Sequence, residues 1–600
     1  MLFVLHYAEN GVLQVLKNTN NDRGMPRTTK IINDVGAELI ARVLLGLGVK
    51  RFYGLQGGHI QPIWDAMIRF GGEVVDTRDE RAAVHMAHAE SELTGEVGVA
   101  LVTAGPGVTN AVTGVANAYK ARAPVLVIGG AVPRPQTGAG ALQELPQIDL
   151  MRPITRAAIS VWNVQQLAHE LNVAISTALG GGTPSGPVFF EVPTDVLRTR
   201  VASYLMPEDG SVVCPSEDQS LDLIKIAQAV DMLWTASRPL VITGRGARLT
   251  GNALMDLLEA TGALYLDTQE SRGLVSEAHS SVVSAVRGAA MREADLVVTI
   301  GRKLDYQLGY GSAAVFPHAR FLRISDNVDE LRDGRRGEVE LLATSKRVCE
   351  AMVKKAGNRQ PNTDRRWTDS LRSKHLARTG ALREQMAVAE PGADGLMHPH
   401  RLLGAIRDVL HDDSILIADG GDILSFARIC LPASTYLDTG VFGCLGVGVP
   451  FAIAAALLYP KRDVIAVMGD GAFGFNAMEL DTAFRHSARA VFIIANNGGW
   501  NIERTDQIRN YEGRIEGSEL EFSNYAAMAR ALGLYAERIH NSGDLPAALT
   551  RAFDHAPALL DVLVTRDAIS PDAGSGLPFI PDLQPLKSWD DAERSRLEKS

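Results

Sequence analysis

The chain has 600 residues, of which 46% are hydrophobic, and this length allows several cores and predicts about three domains. Its 70 Asp and Glu residues outnumber its 60 Lys and Arg residues, and the net charge of −10 argues against nucleic-acid or anionic-membrane partners. Any anionic ligand must therefore meet local positive charge. The 4 cysteines are scattered without a C-x-x-C motif, which argues against disulfides or zinc and favours a reducing cytoplasm.

Residues 1–27 are predicted to form an N-terminal tail. The segment lacks a basic start, and Glu9 and Asn10 interrupt its apolar run, so a signal peptide is not expected. A more usual start lies at Met25, which leaves residues 1–24 as a tail or an overextended start. No apolar run reaches membrane-spanning length, and a cytoplasmic protein without a membrane partner is expected.

A first α/β block is predicted over residues 28–200, where helical patterns alternate with short apolar strands. One strand, EVVD, precedes a turn and a helix that begins near Glu80. A carboxylate at a helix start ordinarily compensates the helix dipole. The next strand ends in the motif TAGPGVTN at residues 103–110, a glycine turn that opens an amphipathic helix.

A second block of the same style is predicted over residues 215–350, after a polar link. The charged stretch at 351–395 has the composition of an exposed linker with some helix. A third block follows at 396–565, and residues 566–600, with four prolines before Trp589, predict an extended C-terminal arm.

The third block contains a strand–helix–strand unit that ends in polar residues. Asp470 follows the first strand and Asn497 follows the second, so both are expected at the carboxyl edge of a parallel sheet, where such sheets bind ligands. A carboxylate, an amide oxygen and a backbone carbonyl suit Mg²⁺. Gly471 and Ala472 open the helix, whose N–H groups can hold a diphosphate. The unit therefore predicts a site for magnesium and a diphosphate.

The spacing in this unit resembles the signature of thiamine diphosphate (ThDP) enzymes, in which GDG precedes NN. Here 24 residues separate Gly471 from Asn496. The resemblance assigns the metal ligands to Asp470, to Asn497 and to the Gly499 carbonyl. The TAGPGVTN motif and Glu80 independently resemble the pyrimidine-binding domain of the same family. The implied fold is α/β, with three doubly wound parallel-sheet domains (pyrimidine, central and diphosphate) plus the C-terminal arm.

The resemblance also implies how the cofactor is held. Glu80 faces the pyrimidine N1′, where a buried carboxyl that keeps its proton supports deprotonation of the cofactor's reactive carbon. Leu445 lies under the bend of the cofactor, and the Gly443 carbonyl accepts from its 4′-amino group. Gly420, Gly471 and Ala472 complete the cofactor contacts. Because the family holds the two cofactor ends on different subunits, a homodimer, commonly within a tetramer, is implied.

Further segments resemble 2-hydroxyacyl-CoA lyases, in particular the branch that acts on short, branched substrates. They include GGHI, GALQ and NNGGWNIERTDQ. That family cleaves the C1–C2 bond of a 2-hydroxyacyl-CoA to an aldehyde or ketone and formyl-CoA, reversibly. The resemblance makes Glu503 the general base, with a solvated surface residue as the alternative. Gln143 and His59 are candidate contacts to the substrate, and each is alternatively an ordinary loop residue.

A coenzyme A ligand requires basic contacts. By resemblance to related CoA-dependent decarboxylases, Arg245, Arg302 and Lys303 in the second block are candidates, with surface solvation as the equal alternative. Trp589 in the arm is a candidate lid over the acyl pocket, and a subunit-packing tail is the other interpretation.

Three other functions stay open at this point. One is an acetolactate-synthase-like carboligase that uses pyruvate, often with FAD in the central domain. Another is oxalyl-CoA decarboxylase. The third is a catalytically silent ThDP-binding subunit, although such proteins usually lose the pyrimidine-facing Glu or the metal Asp, and this chain has Glu80 and Asp470.

Overall fold

The computed structural model describes residues 34–180, 184–201 and 221–575, with short backbone segments outside these ranges. The chain forms two compact units, Met1–Glu217 and Asp218–Ser600. The first unit contains one large parallel sheet and the second contains two. The prediction of three parallel-sheet α/β domains is therefore confirmed.

The first unit is built on six strands, preceded by short segments. The early strands are β1 (His6–Tyr7), β2 (Leu13–Gln14) and β3 (Thr29–Ile32). The sheet strands are β4 (Arg51–Gly54), β5 (Glu73–Asp76), β6 (Gly98–Val102), β7 (Val125–Ala131), β8 (Ala157–Ser160) and β9 (Val188–Pro193). The helices are α1 (Gly36–Gly46), α2 (Gln61–Arg69), α3 (Glu80–Thr94), α4 (Pro106–Ala121), α5 (Gln147–Met151), α6 (Leu167–Ala178) and α7 (Thr194–Arg198).

The order of these strands places a ligand crevice at one edge of the sheet. All six are parallel in the order β5-β4-β6-β7-β9-β8, while β3 pairs antiparallel with β10 (Tyr204–Pro207). The chain leaves β4 for β5 on one side and returns to β6 on the other, so the crevice lies between β4 and β6. Every residue of β6 and β7 is buried, as expected for strands covered on both faces.

The second unit begins with a five-stranded central sheet. Its strands are β11 (Pro239–Thr243), β12 (Leu264–Leu266), β13 (Leu296–Ile300), β14 (Arg320–Ser325) and β15 (Val339–Leu342). Its helices are α8 (Leu223–Thr235), α9 (Asn252–Thr261), α10 (Arg287–Glu293), α11 (Val328–Leu331) and α12 (Ser345–Ala356). The strands are parallel in the order β12-β11-β13-β14-β15.

The last sheet has six strands. They are β16 (Ile415–Asp419), β17 (Thr435–Asp438), β18 (Val464–Gly469), β19 (Ala490–Asn496), β20 (Tyr535–Ile539) and β21 (Ala558–Leu563). The helices are α13 (Arg365–Val388), α14 (Pro399–Val409), α15 (Asp422–Cys430), α16 (Gly448–Leu458), α17 (Asp470–Gly474), α18 (Glu479–Arg485), α19 (Asn501–Asn510), α20 (Tyr525–Ala531), α21 (Leu545–Asp554) and α22 (Pro571–Ser575).

The order of the last sheet, β17-β16-β18-β19-β21-β20 with all strands parallel, places the signature motifs at a crevice. The chain leaves β16 for β17 on one side and returns to β18 on the other, so the topological switch lies between β16 and β18. Asp470 follows β18 directly, and Asn497 follows the neighbouring β19.

Two local features differ from the sequence expectation. The stretch expected to be a linker with some helix contains one 24-residue helix, α13, of which only Trp367, Leu371, His375 and Met386 are buried. The apolar stripe is narrow, so hydrophobic periodicity gives little signal there. The segment after Asp470 consists of two short helices, α17 and α18, rather than one.

No helix among the described residues is long and apolar enough to cross a membrane. Cys349, Cys430 and Cys444 are buried free thiols, in agreement with the absence of a disulfide pattern, and Cys214 lies outside the described residues.

Candidate active site

The first unit places Glu80 at the start of α3. The side chain of Asp79 caps the helix by accepting a hydrogen bond from the Arg81 amide (2.8 Å). The Glu80 side chain is buried, and Asn110 Nδ2 donates to its Oε2 at 3.0 Å. A Cβ at Gly107 would lie 3.2 Å from Glu80 Oε1, so glycine keeps this side of the carboxyl open. The predicted helix start is confirmed.

Two further candidates lie at the same edge of the sheet. His59 Nδ1 is 3.4 Å from the hydroxyl of Thr103, which follows β6. His59 is also hydrogen-bonded to the Gln143 side chain, and burial lowers the pKa of His59 more than this contact raises it. Gln143 has φ +65° and its carbonyl lies against Gly105. The structure therefore brings His59 and Gln143 together; their roles stay predictions.

In the second unit, Asp470 and Asn497 meet at two adjacent strand ends. The Asn497 amide donates to Asp470 Oδ1 at 3.4 Å, and the Gly499 amide donates to Asn497 Oδ1 at 3.1 Å. Asp470 is only 1% exposed, and burial raises its pKa to about 6. Its Oδ2 is buried without a hydrogen-bond partner among the described residues. An orphaned carboxylate oxygen of this kind suits a bound cation.

These residues line a cavity of about 190 Å³ at the switch point of the last sheet. Trp500 forms part of its wall, and a Cβ on Gly471 would lie 2.6 Å from the Trp500 ring. Glycine at 471 is therefore required for the ring to close the cavity. All nine candidates that the sequence places in this unit as catalytic, metal or ThDP contacts line the cavity: Gly420, Gly443, Leu445, Asp470, Gly471, Ala472, Asn497, Gly499 and Glu503.

The residues fit a magnesium–diphosphate group. The oxygen donors Asp470 and Asn497 lie beside the Gly499 backbone, and Mg²⁺ accepts few protein ligands when phosphates and water complete its octahedron. The glycine-rich wall allows phosphate oxygens to approach the backbone, and Leu445 adds an apolar side chain to the lining.

Glu503 lies in the first turn of α19, and its side chain is exposed in the isolated chain although it lines the cavity. The partial loss of solvent on the cavity side raises its pKa, and Asp506 adds to the effect. A carboxyl with a raised pKa that lines a cavity can exchange protons with a bound substrate.

Two acidic residues of this site were missed by the sequence interpretation. Asp422 lines the same cavity, and Asn501 Nδ2 donates to its Oδ2 at 3.2 Å. Asp419 is fully buried and accepts from the amides of Gly446 (3.0 Å) and Gly448 (2.8 Å), which fixes the loop that carries Leu445. Burial raises the pKa of each to about 6. The segment ADGGD, in which two acidic residues flank a glycine pair at a strand end, could have indicated both residues from the sequence.

A second cavity of about 1250 Å³ in this unit shares part of its lining with the first. Gly420, Gly421, Gly443, Leu445 and Ile502 line both cavities. Arginines outnumber acidic residues in the lining of the larger one by seven to four: Arg272, Arg287, Arg372, Arg378, Arg383, Arg407 and Arg428 against Asp267, Glu277, Asp412 and Asp572.

The basic candidates of the central domain lie elsewhere. Arg302 is buried and bound to both carboxylate oxygens of Asp305 at 2.7 and 2.9 Å. Arg245 is half-buried, and burial lowers its pKa to about 9. Lys303 is exposed. None of the three lines either described cavity. Trp589 lies outside the described residues.

The chain is similar to known proteins along most of its length. Residues 34–151 match the model of the thiamine pyrophosphate enzyme N-terminal TPP binding domain. Residues 226–352 match the central domain of the same enzymes, and residues 421–562 match their C-terminal TPP binding domain. Glu80, Asp470 and Asn497 fall within the two TPP binding matches.

Individual relatives carry two different names. The chain is 31% identical to 2-hydroxyacyl-CoA lyase 2 of Caenorhabditis elegans and 32% identical to that of Homo sapiens, in each case over 88% of this chain and 90% of the relative. It is 30% identical to a probable acetolactate synthase of Mycobacterium bovis, over 89% of this chain and 96% of the relative. The three matched domains and these relatives together show that the chain belongs to the thiamine pyrophosphate enzyme family.

Proposed function

We propose that this protein is a ThDP- and Mg²⁺-dependent lyase that cleaves the C1–C2 bond of a 2-hydroxyacyl-CoA and releases formyl-CoA with an aldehyde or ketone, reversibly. The observation that carries the proposal is the arginine-rich cavity of about 1250 Å³, which shares lining residues with the Asp470–Asn497 cavity. Small-ligand pockets measure roughly 300–1,000 Å³, and a phosphate-bearing thioester needs both the larger volume and the positive charge.

The names of the relatives support the same substrate class. Those called 2-hydroxyacyl-CoA lyase 2 come from several animals and match 83% or more of this chain. Pyruvate, by contrast, is too small to require seven arginines around an extended cavity.

The chain's own residues account for the proton transfers. ThDP, when bound, supplies the electron sink that makes the C1–C2 bond breakable. Glu503, at the mouth of the cavity, takes the proton of the C2 hydroxyl as the carbonyl forms there. The same carboxyl then delivers a proton to C1, which leaves as formyl-CoA. The Trp500 wall and Leu445 limit access of water to the reacting carbon.

We further propose that the active protein is a homodimer, which commonly assembles into a tetramer in this family. Glu80 belongs to the first unit and the metal cavity to the second. In the proposed dimer, Glu80 of one subunit faces the pyrimidine of a cofactor held by the other. Two exposed apolar side chains are suited to such a contact: Phe442 precedes the cavity-lining Gly443, Phe475 packs against Trp500, and each is 44% exposed.

A carboligase of the acetolactate synthase type is the second candidate, because a relative of that name matches 89% of this chain at 30% identity. Oxalyl-CoA decarboxylation would instead release CO₂. A silent ThDP-binding subunit is disfavoured because Glu80, Asp470 and Asn497 are all present.

The deciding experiment incubates the purified protein, supplied with ThDP and Mg²⁺, with 2-hydroxyacyl-CoAs of different length and branching. Formyl-CoA and the carbonyl product are quantified. Parallel reactions contain pyruvate with and without FAD, or oxalyl-CoA. Formyl-CoA release that stops after chelation of the metal is the expected result. If the protein made acetolactate from pyruvate and cleaved no thioester, its function would be that of a carboligase and not of a lyase.

A further inference from the structure

Arg566 holds the loop that presents the metal ligands. It lies three residues beyond β21, and its guanidinium donates from Nε to the Asn497 carbonyl at 2.6 Å and from Nη2 to the Gly498 carbonyl at 2.7 Å. Nη2 also donates to the Leu520 carbonyl at 2.9 Å. One side chain thus ties the loop after β19 to the segment around residue 520.

The loop is shaped to receive this guanidinium. Gly498 has φ +63°, a left-handed conformation that favours glycine. A Cβ at position 498 would lie only 2.5 Å from Arg566 Nη2. The Arg566 side chain is 21% exposed and stacks over Phe522 with 5.0 Å from its Cζ to the ring centroid. Nη1 lies 3.7 Å from Glu519 Oε1. The position of the guanidinium is therefore determined from several sides.

The same contacts decide which carbonyl can face the cavity. Gly499 pairs with Glu519 in an antiparallel bridge, whose hydrogen bonds are Trp500 N–H to the Ser518 carbonyl (2.8 Å) and Leu520 N–H to the Gly498 carbonyl (2.6 Å). In such a pair the bonds belong to the flanking residues, so the N–H and C=O of Gly499 point away from the partner strand. On that side Gly499 lines the cavity.

We propose that Arg566 is a positioning residue for the divalent cation. By binding the carbonyls of residues 497 and 498, it prevents the loop from rotating and leaves the Gly499 carbonyl directed to the metal beside Asp470. The proposal rests on the proposed magnesium–ThDP function. In addition, the geometry of the metal loop (residues 497–499) depends on a side chain nearly 70 residues further along the chain.

The chain offers a matched control at the opposite edge of the same sheet. Arg462 is also partly buried, donates to the Asp413 carbonyl and to Thr435 Oγ1, and stacks over Tyr459 at 5.1 Å. Its contacts lie at the amino ends of β16, β17 and β18, whereas Arg566 acts beyond the carboxyl ends of β19 and β21. Loss of Arg462 removes a comparable anchor without contact to the metal loop.

The test measures ThDP binding by calorimetry at a series of Mg²⁺ concentrations for the wild type and for Arg566→Ala, Arg566→Lys and Arg462→Ala. Far-ultraviolet circular dichroism checks that each variant is folded. We expect the Mg²⁺ concentration for half-maximal ThDP binding to rise at least tenfold in Arg566→Ala. A smaller rise is expected in Arg566→Lys, because an ammonium group can bind one carbonyl but lacks the planar fork. Arg462→Ala should match the wild type.

Two results would overturn the proposal. One is an Arg566→Ala titration that coincides with the wild type. The other is an equal shift in Arg566→Ala and Arg462→Ala, which would mean that any lost anchor weakens the domain. If Arg566→Ala does not fold, the same comparison is made with Arg566→Lys. A wild type whose ThDP binding ignores Mg²⁺ is a distinct outcome, since it removes the metal site and the proposal with it.

Discussion

Asn110 donates a hydrogen bond to the carboxyl of Glu80 across 3.0 Å, and this contact joins the second turn of α4 to the first residue of α3. The amide nitrogen is the donor and Oε2 is the acceptor, so the contact fixes which carboxyl oxygen faces Asn110. The other oxygen, Oε1, lies beside the space that Gly107 leaves open. The pair therefore orients the Glu80 carboxyl.

Glu80→Gln should reduce turnover by at least a hundredfold, the lower end of the effect of general acid–base groups. The glutamine keeps the size and the Asn110 contact but cannot transfer a proton, so ThDP affinity should be unchanged. Steady-state kinetics and calorimetry measure the two quantities. Glu96→Gln, an exposed residue beyond the end of the same helix, is the control. Wild-type rates in Glu80→Gln would remove this residue from the mechanism.

Glu503→Gln should lower kcat more than it changes KM, because the carboxyl acts on the proton of the hydroxyl rather than on the thioester. The pKa of Glu503 is raised by desolvation, and the ionised form is the base. The wild-type rate should therefore fall as the pH decreases through this raised pKa, and Glu503→Gln should lack that acidic limb. A change in KM alone would make Glu503 a binding residue.

Acidification should weaken magnesium binding through Asp470. Its pKa is raised to about 6 in the metal-free protein, so protons compete with the cation below pH 6. Displacement of one proton makes the half-saturating Mg²⁺ concentration about tenfold higher at pH 5 than at pH 7. Calorimetric titration at the two pH values measures it. In Asp470→Asn the Mg²⁺ affinity should be low at both pH values. If the Mg²⁺ affinity of this variant depended on pH as steeply as that of the wild type, the competing proton would belong to another group.

Gly471→Ala should weaken ThDP binding at least tenfold, because the new Cβ would lie 2.6 Å from the Trp500 ring. Gly474→Ala is the matched control in the same short helix, since it has no atom within 4 Å of the added Cβ. Both substitutions replace glycine by alanine, so both raise the intrinsic helix propensity by the same amount. A thermal shift assay with and without ThDP separates binding from stability, and equal ThDP affinity in the two variants would contradict the close approach.

The arginines of α13 should bind the thioester substrate without acting in catalysis. Arg378 and Arg383 line the larger cavity, whereas Arg366 on the same helix is exposed and outside it. We expect Arg378→Ala and Arg383→Ala each to raise KM for a 2-hydroxyacyl-CoA several-fold, with kcat retained. Arg366→Ala should behave as the wild type. Equal KM values in all three variants would place the anionic part of the substrate elsewhere, for example beside Arg245.

The sequence alone determined the sheet edge at which the cation site lies. Asp470 and Asn497 could be placed together because each follows an apolar strand and parallel strands end on the same edge. The helix start at Glu80 could also be predicted from the sequence, because capping depends on neighbouring residues in the chain. The family resemblance added Gly420, Leu445 and Glu503, which no periodicity would have selected.

Only the tertiary structure decided how distant segments meet at that edge. Arg566 reaches the carbonyl of Asn497 across 69 positions, and nothing in the sequence near either residue shows the contact. Arg302 is of a residue type that often binds phosphate, but its guanidinium is bound to the carboxylate of Asp305. Local patterns determine which elements form and which ends face each other. Pairing of side chains depends on packing between elements, and that is a property of the folded core.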